Sequence, residues 1–210
     1  MRYCGLPLVA RAGASLTKRM ILARWLALTA AVLFGTAARA LDADKLAACL
    51  ACHGTGGVSA QEGVPSLAAQ PDLYTQWQLM FFRLESRKSD VMEQIAKSLH
   101  DDDVRGFGAY FAALVPPPAP PPPDPKPNLS AAGKKIAEEH HCNGCHTSDF
   151  AGQQANARLA GQREEVLRKA LEDYRSGARR GTGIAAMPEA VYGLNDDDFT
   201  ALAHYLARLP

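Results

Sequence analysis

A Cys-x-x-Cys-His motif occurs twice in this 210-residue chain, at residues 49–53 and 142–146. The two copies use four of the five cysteines. Two cysteines at this spacing, followed directly by a histidine, are the attachment signature of c-type haem, in which both thiols form thioethers to the porphyrin and the histidine becomes an axial ligand of the iron. The motifs therefore predict two covalently bound haem c groups, each enclosed by its own part of the fold.

The predicted ligands fall into two classes, four thioether cysteines and two axial histidines: Cys49, Cys52, Cys142, Cys145, His53 and His146. A four-cysteine zinc site and a thiol redox pair are the alternatives for a Cys-x-x-Cys spacing. Zinc does not require a histidine directly after each second cysteine, and the redox motif belongs in a strand-helix context that this sequence lacks. A disulfide within each motif would close only a small, strained loop. Haem attachment is the favoured interpretation.

The amino-terminal segment has the pattern of an export signal. Residues 1–40 contain six basic residues and no acidic residue, an apolar run over 25–34, and then Ala38-Arg39-Ala40. This pattern predicts a signal peptide cleaved after Ala40, with Met20 as an alternative start. The apolar run is about half the length that a membrane span needs, so we expect at most peripheral membrane association. We therefore predict a periplasmic protein, which fits the attachment of bacterial c-type haem outside the cytoplasm.

The charge balance changes when the predicted leader is removed. Residues 41–210 contain 17 basic and 22 acidic residues, a net charge of −5. Binding to nucleic acid depends on neutralising phosphates with Lys and Arg, so nucleic acid is not an expected partner.

A proline-rich segment divides the chain. Nine of the 14 prolines lie in residues 116–127, a composition that excludes helix and predicts polyproline II, about 37 Å long if straight. We predict one domain at 41–115 and another at 128–210. A straight rod would hold the domains apart, whereas a bent linker would let them pack together, and packing is the favoured arrangement.

The two halves are internal repeats. An offset of 93 residues sets Cys49 on Cys142, and an offset of 95 sets Met92 on Met187. These methionines follow the motif histidines by 39 and 41 residues. Because the same thioether recurs at the same place in both repeats, we predict Met92 and Met187 as the sixth ligands of the two irons. Met80 is predicted to fill a core, and the other histidines to be surface or capping residues: His100, His140, His141 and His204.

Helical periodicity recurs along both repeats, and no convincing alternating strand is present. Predicted helices lead into each haem motif, follow it near 73–84 and 164–176, and end each repeat at 101–115 and 196–209. The sequence therefore predicts an all-α protein of two tandem domains, each a small helical bundle wrapped around a covalent haem.

The mature chain resembles the tandem di-haem class I cytochromes c, especially the cytochrome c4 family and the related haem subunits of flavocytochrome c sulfide dehydrogenases. Besides the two motifs and the methionines, the resemblance is carried by the Leu-Ala-x-Gln segments at 67–70 and 159–162 and by the Phe82-Arg83 and Tyr174-Arg175 pairs. It implies an electron carrier rather than an enzyme. It also implies redox partners: a dehydrogenase or cytochrome complex as donor, and a terminal oxidase or another acceptor.

The resemblance carries expectations for individual residues. Arg83, Arg87, Arg175 and Arg179 match positions that lie near haem propionates in the family. A proline whose carbonyl holds the axial histidine is matched by Pro65, but Ala157 replaces it in the second repeat. The alternative function is the haem-bearing subunit of a dehydrogenase such as a flavocytochrome c sulfide dehydrogenase. A di-haem enzyme would need an open sixth position, against which the two aligned methionines argue.

Each predicted domain has only about 75–83 residues, too few for a large apolar core, so covalent haem is expected to supply much of it. Cys-to-Ala variants that cannot attach haem should therefore be poorly folded. Far-UV circular dichroism with thermal melting tests this, and near-native helix content with a cooperative transition would contradict it.

Overall fold

The computed structural model describes residues 41–179 and 186–210. Within these ranges the secondary structure is helical, and strand pairing is limited to isolated bridges. The all-α prediction is thus confirmed. The predicted signal peptide lies outside the described residues. None of the helices that are described is long and apolar enough to cross a membrane.

Four helices form the amino-terminal half: α1 Ala43–His53, α2 Asp72–Arg83, α3 Asp90–Lys97 and α4 Asp101–Ala112. The Asp42 carboxylate accepts the backbone N–H groups of Asp44 and Lys45 and so caps α1. Three aspartates in the first turn of α4 lie at the positive end of the helix dipole, where negative charge is favourable.

Five helices form the described part of the carboxy-terminal half: α5 Pro127–Glu139, α6 Cys142–His146, α7 Glu164–Ser176, α8 Ala186–Ala190 and α9 Asp196–Ala207. Helix α5 begins at Pro127, which was predicted to end the linker. Proline suits the first turn of a helix because its missing N–H has no helical partner there. Asn195 caps α9 by accepting the N–H groups of Asp197 and Asp198.

Helices α3 and α8 were not predicted, and they carry Met92 and Met187. Both are short, with eight and five residues, so helical periodicity has little length in which to show. Ser89 provides the local signal for α3, because its hydroxyl accepts the Met92 N–H at 3.4 Å.

Each half has its own apolar core. In the amino-terminal half, α2 packs on α4, and the fully buried Phe107 and Phe111 lie between the helices. Met80 packs against this core, as predicted. In the carboxy-terminal half, α9 packs on α5 and α7 around Phe199. Gly133 lets α5 approach α9 closely, because a Cβ atom there would lie 2.1 Å from the Ala201 carbonyl oxygen.

The two halves form one compact unit, Leu41–Pro210, and the proline segment lies against the carboxy-terminal half. Pro117 is buried next to Gly161, and the Pro121 carbonyl accepts a hydrogen bond from Arg208 at 3.2 Å. The linker is therefore a strap along the last helix rather than a straight rod between separated domains.

His204 anchors this strap, and the prediction that it is a surface or capping residue is wrong. Its side chain is buried, with one ring nitrogen 3.0 Å from a Glu164 carboxylate oxygen and the other 3.1 Å from an Asp124 oxygen. Arg208 also pairs with Asp124 at 3.4 Å, and the Ser130 hydroxyl donates to it. Hydrogen bonds from Ser130 and Lys126 lower the pKa of Asp124 to about 2. The strap thus ends on an ionised carboxylate.

The remaining predictions for histidine hold. His100 is the N-cap residue of α4, whereas His140 and His141 are exposed residues at the junction of α5 and α6.

Replacing His204 by Ala should destabilise the holo-protein by about 1–3 kcal/mol, because the Glu164 and Asp124 carboxylates lose their contacts with the ring and a buried side chain is removed. The exposed His140→Ala is the matched control and should stay within about 0.5 kcal/mol of wild type. Denaturant unfolding followed by circular dichroism measures both. Equal stability of the two variants would contradict the anchoring role.

Candidate functional site

In the amino-terminal half the whole Cys-x-x-Cys-His motif lies at the end of α1. On a helix, positions three and four residues apart share a face, so Cys49, Cys52 and His53 are neighbours. His53 is only 7% exposed, Cys49 packs against the core, and Cys52 is exposed. One thiol therefore lies towards the interior and the other at the surface.

In the carboxy-terminal half the motif forms its own short helix, α6. His141 separates α6 from α5 by taking a left-handed conformation at φ 52°. The burial pattern of the first half is repeated: His146 is 8% exposed, Cys142 packs against the core and Cys145 is exposed. Different helical settings thus give the same arrangement of three side chains.

Each motif histidine is held by one loop carbonyl. His53 Nδ1 donates to the Pro65 carbonyl at 2.8 Å, and His146 Nδ1 donates to the Ala157 carbonyl at 2.8 Å. The replacement of proline by alanine in the second repeat therefore leaves this bond intact. A carbonyl can only accept, so the proton is on Nδ1 and the lone pair of each ring is on Nε2.

Burial sets the protonation of these groups. It lowers the pKa of both His53 and His146, and the loop carbonyls only partly oppose this effect. Both imidazoles are thus neutral near pH 7, the form that binds a metal. Burial also raises the pKa of the Cys49 and Cys142 thiols.

The residues present fit a covalently attached haem. Each half offers two thiols on one helical face and a neutral, oriented imidazole whose Nε2 is available to iron. The four-cysteine zinc alternative is not supported. Within residues 41–179 and 186–210, no three His, Cys, Asp or Glu side chains come together as a metal site, and the motif cysteines are free of disulfides.

The two predicted methionine ligands lie on the unpredicted helices. Met92 is half-buried in the first turn of α3. Met187 is half-buried in α8 and packs against the same core as Cys142. Their coordination of iron stays a prediction.

Reciprocal hydrogen bonds join the two halves along a seam. The Gln70 amide accepts the Arg158 N–H at 3.0 Å and donates to the Arg158 carbonyl at 2.9 Å. The Gln162 amide makes the same pair of bonds to Ser66, at 2.9 and 2.8 Å. An offset of 92 residues sets Gln70 on Gln162 and Ser66 on Arg158. The two pairs are therefore equivalent in the repeat, and the seam has approximate two-fold symmetry.

Two arginines meet at the same seam. Arg87 and Arg179 form an antiparallel backbone bridge, and each donates to Gln78 Oε1 at 2.7 Å. Arg179 also donates to the Tyr74 hydroxyl at 3.0 Å. Burial and the charge of Arg179 lower the pKa of Arg87 to about 10, so it remains cationic at neutral pH. Two positive charges are therefore held side by side.

This arginine pair has no acidic partner among the described residues. Neither side chain forms an ion pair there, and Asp173, the nearby acid, pairs with Lys169. Residues 1–40 and 180–185 contain no Asp or Glu. Arg179 Nε and Thr75 Oγ1 are buried without a hydrogen-bond partner. The cluster is thus suited to an anion.

The other two arginines that the resemblance placed near propionates have acidic partners. Arg83 Nη1 donates to Asp101 at 2.7 Å, and Arg175 Nη2 donates to Asp196 at 2.6 Å. Each also donates to loop carbonyls just before the last helix of its half. A propionate role for Arg83 and Arg175 stays a prediction.

Comparison with known proteins agrees with this geometry. The cytochrome c family model matches residues 130–210. A solved structure of reduced recombinant cytochrome c4 from Pseudomonas stutzeri has a TM-score of 0.71 and 28% identity, covering 81% of this chain and all of that one. Cytochrome c4 of Pseudomonas aeruginosa is 30% identical, covering 79% of this chain and 85% of that protein. The chain belongs to the cytochrome c4 family.

Membership in the cytochrome c4 family settles the cofactor and the general activity. The protein is a di-haem class I cytochrome c with covalently bound haem c, and it carries electrons rather than catalysing a bond-breaking reaction. A further relative is the thiosulfate dehydrogenase electron acceptor of Thiomonas intermedia, 29% identical over 79% of this chain and 80% of that protein.

Sequence reasoning missed the seam. The Leu-Ala-x-Gln segments, which recur at an offset of 92, support the internal repeat and the resemblance, but they did not predict a contact between the halves. A polar residue repeated next to a motif that binds the cofactor is a usable signal. Its pairing with the opposite half, however, depends on how the halves dock.

Proposed function

We propose that this cytochrome is a periplasmic two-centre electron relay with one His/Met haem in each half. The proposed attachment residues are the motif cysteines Cys49, Cys52, Cys142 and Cys145. The proposed axial pairs are His53 with Met92 and His146 with Met187. Electrons would pass from a redox-protein donor through the two centres to a respiratory acceptor.

The observation that carries this proposal is the matched setting of the two motif histidines. Each is buried, neutral and oriented by one carbonyl at 2.8 Å. A hydrogen bond of this kind fixes the ring and raises the basicity of the ligating nitrogen. The same device in both halves supports two equivalent histidine ligands, and the matching positions of Met92 and Met187 support six-coordinate sites in both halves rather than one open catalytic site.

The packing of the halves supports transfer between the two centres. The histidine loops at Pro65 and Ala157 are each followed directly by a seam residue, Ser66 or Arg158. Both sites therefore approach the same interface. The strap at 116–126 keeps this interface together, because its end is bound to α9.

We assign the arginine pair at the seam, the half-buried Arg87 and the buried Arg179, to the haem carboxylates. Two adjacent cations that are withdrawn from solvent and form no ion pair with the described residues are costly unless an anion compensates them. Arg83 and Arg175 are secondary candidates, because Asp101 and Asp196 already neutralise them.

The proposed compartment is the periplasm, and the proposed partners are redox proteins. The basic, acid-free segment 1–40 is proposed to be a leader that takes the chain to the periplasm, where haem is attached. A dehydrogenase is proposed as the donor. One relative is named as an electron acceptor of thiosulfate dehydrogenase. The second candidate for the donor is therefore an enzyme that oxidises a sulfur compound.

Replacing Met187 by His should lower the midpoint potential of one haem by on the order of 100 mV, because a thioether ligand raises the potential and axial ligands span about 0.8 V. Met92→His should lower the other potential, and Met80→Leu, in the core, is the control. Spectroelectrochemical titration measures all three. Unchanged potentials in both Met-to-His variants would refute the axial assignments.

Replacing Arg179 by Gln should lower the haem potentials, because a positive charge near the haems favours the reduced state. Arg175→Gln removes a charge at an exposed, ion-paired site of the same half, and it should have a much smaller effect because solvent and Asp196 screen it. The same titration compares the variants. A larger shift in Arg175→Gln would reverse the assignment of the two arginine pairs.

A further inference from the structure

The glutamines of the seam act on the loops that hold the axial histidines. Ser66 follows Pro65, whose carbonyl accepts from His53, and both backbone polar groups of Ser66 are bound by Gln162 from the other half. The Pro65 carbonyl, which binds the histidine, and the Ser66 N–H, which binds the opposite half, therefore belong to the same peptide unit.

The second site is built in the same way with the halves exchanged. Arg158 follows Ala157, whose carbonyl accepts from His146, and both backbone polar groups of Arg158 are bound by Gln70. Each loop is therefore supported by the half that does not contain its histidine.

The glutamines are buried and fully engaged. Gln70 is 4% exposed and Gln162 is 7% exposed. Each uses its amide oxygen and its amide nitrogen on one peptide segment, so the segment can neither shift nor rotate without breaking a buried hydrogen bond. Breaking such a bond leaves a buried polar group without a partner, which is unfavourable. The two bonds therefore hold the loop in one position.

We propose that Gln162 is a positioning residue for His53, and Gln70 a positioning residue for His146, each acting across the seam on the haem site of the other half. The inference rests on the proposed axial roles of the two histidines. Each half therefore needs the opposite half to fix the orientation of its own axial histidine.

The cross-support also accounts for the alanine at 157. Proline at 65 fixes its own φ angle, whereas Ala157 lacks this restraint. Gln70 holds the next residue as Gln162 does in the first repeat, and the Arg158 side chain adds bonds to the Ala160 and Pro210 carbonyls at 3.1 and 2.7 Å. The histidine bond has the same length, 2.8 Å, in both repeats.

Loss of this support has a defined electronic consequence. A weaker bond from the histidine Nδ1–H to its carbonyl makes Nε2 a poorer donor to iron. The oxidised iron is then stabilised less, so the midpoint potential rises. The rise is expected at the haem across the seam, while the haem in the mutated half keeps its potential.

The experiment uses the full-length holo-protein with Gln162→Met and Gln70→Met, which keep side-chain length but remove both hydrogen-bonding atoms. Gln76→Met is the matched control, because the Gln76 amide donates only to Asp72 within α2. Potentials of the two haems are measured by spectroelectrochemical titration, and hyperfine-shifted proton resonances report the orientation of each axial histidine. Met187→His identifies the signals of the carboxy-terminal haem.

Gln162→Met should raise the potential and move the histidine resonances of the amino-terminal haem alone, and Gln70→Met those of the carboxy-terminal haem alone. Gln76→Met should change neither. The shorter amides Gln162→Asn and Gln70→Asn should give the same one-haem pattern with a smaller shift, and they decide the question if a Met variant loses haem.

The inference is overturned by a shift at the haem of the mutated half, by equal shifts at both haems, or by no shift in either series. These outcomes are separate from a failure of the proposed function. If Met187→His moves one potential and the glutamine variants move none, the axial assignment stands and the positioning role fails. If neither Met187→His nor Met92→His moves a potential, the axial assignment itself fails.

Discussion

The bond from each buried motif histidine to a loop carbonyl is the interaction on which the rest of the structure depends. It fixes the tautomer of His53 and of His146 and leaves Nε2 as the nitrogen for iron. The carbonyl can orient the ring only if its loop is held in place, and the seam binds the next residue in each of the two loops. The orientation of the two histidines therefore depends on how the two halves pack.

Duplication gave this chain two similar modules, and the contacts that join them differ in kind. The glutamine contacts are nearly two-fold symmetric, as expected when one ancestral surface meets its copy. The strap is asymmetric, because His204 has Ala109 as its counterpart and Asp124 lies in the linker, which occurs once between the two repeats. The symmetric contacts bring the two histidine loops to the seam. The asymmetric contact holds the linker on the carboxy-terminal half.

Much of the fold could be predicted from local patterns. The first and last helices of each half have apolar periodicity, α1 and α9 also have side-chain caps, and the duplicated motif identified the cofactor. Helices α3 and α8 were missed because they are short. His204 was misjudged because a lone histidine on an amphipathic helix has no local feature that predicts two distant carboxylates. All four arginines were expected near the cofactor, and the structure distinguishes them because Asp101 and Asp196 pair with Arg83 and Arg175, whereas Arg87 and Arg179 form no ion pair with the described residues.

The sequence by itself determined what the protein binds, because haem attachment requires two cysteines and a histidine within five consecutive residues. It also determined that the protein has two such sites, since an internal repeat can be read from the order of residues. Only the tertiary structure decided how the sites are completed. Hydrogen bonds such as Gln162 to Ser66 join residues 96 positions apart, and whether they form depends on the docking of two folded halves, which no local pattern in the chain specifies.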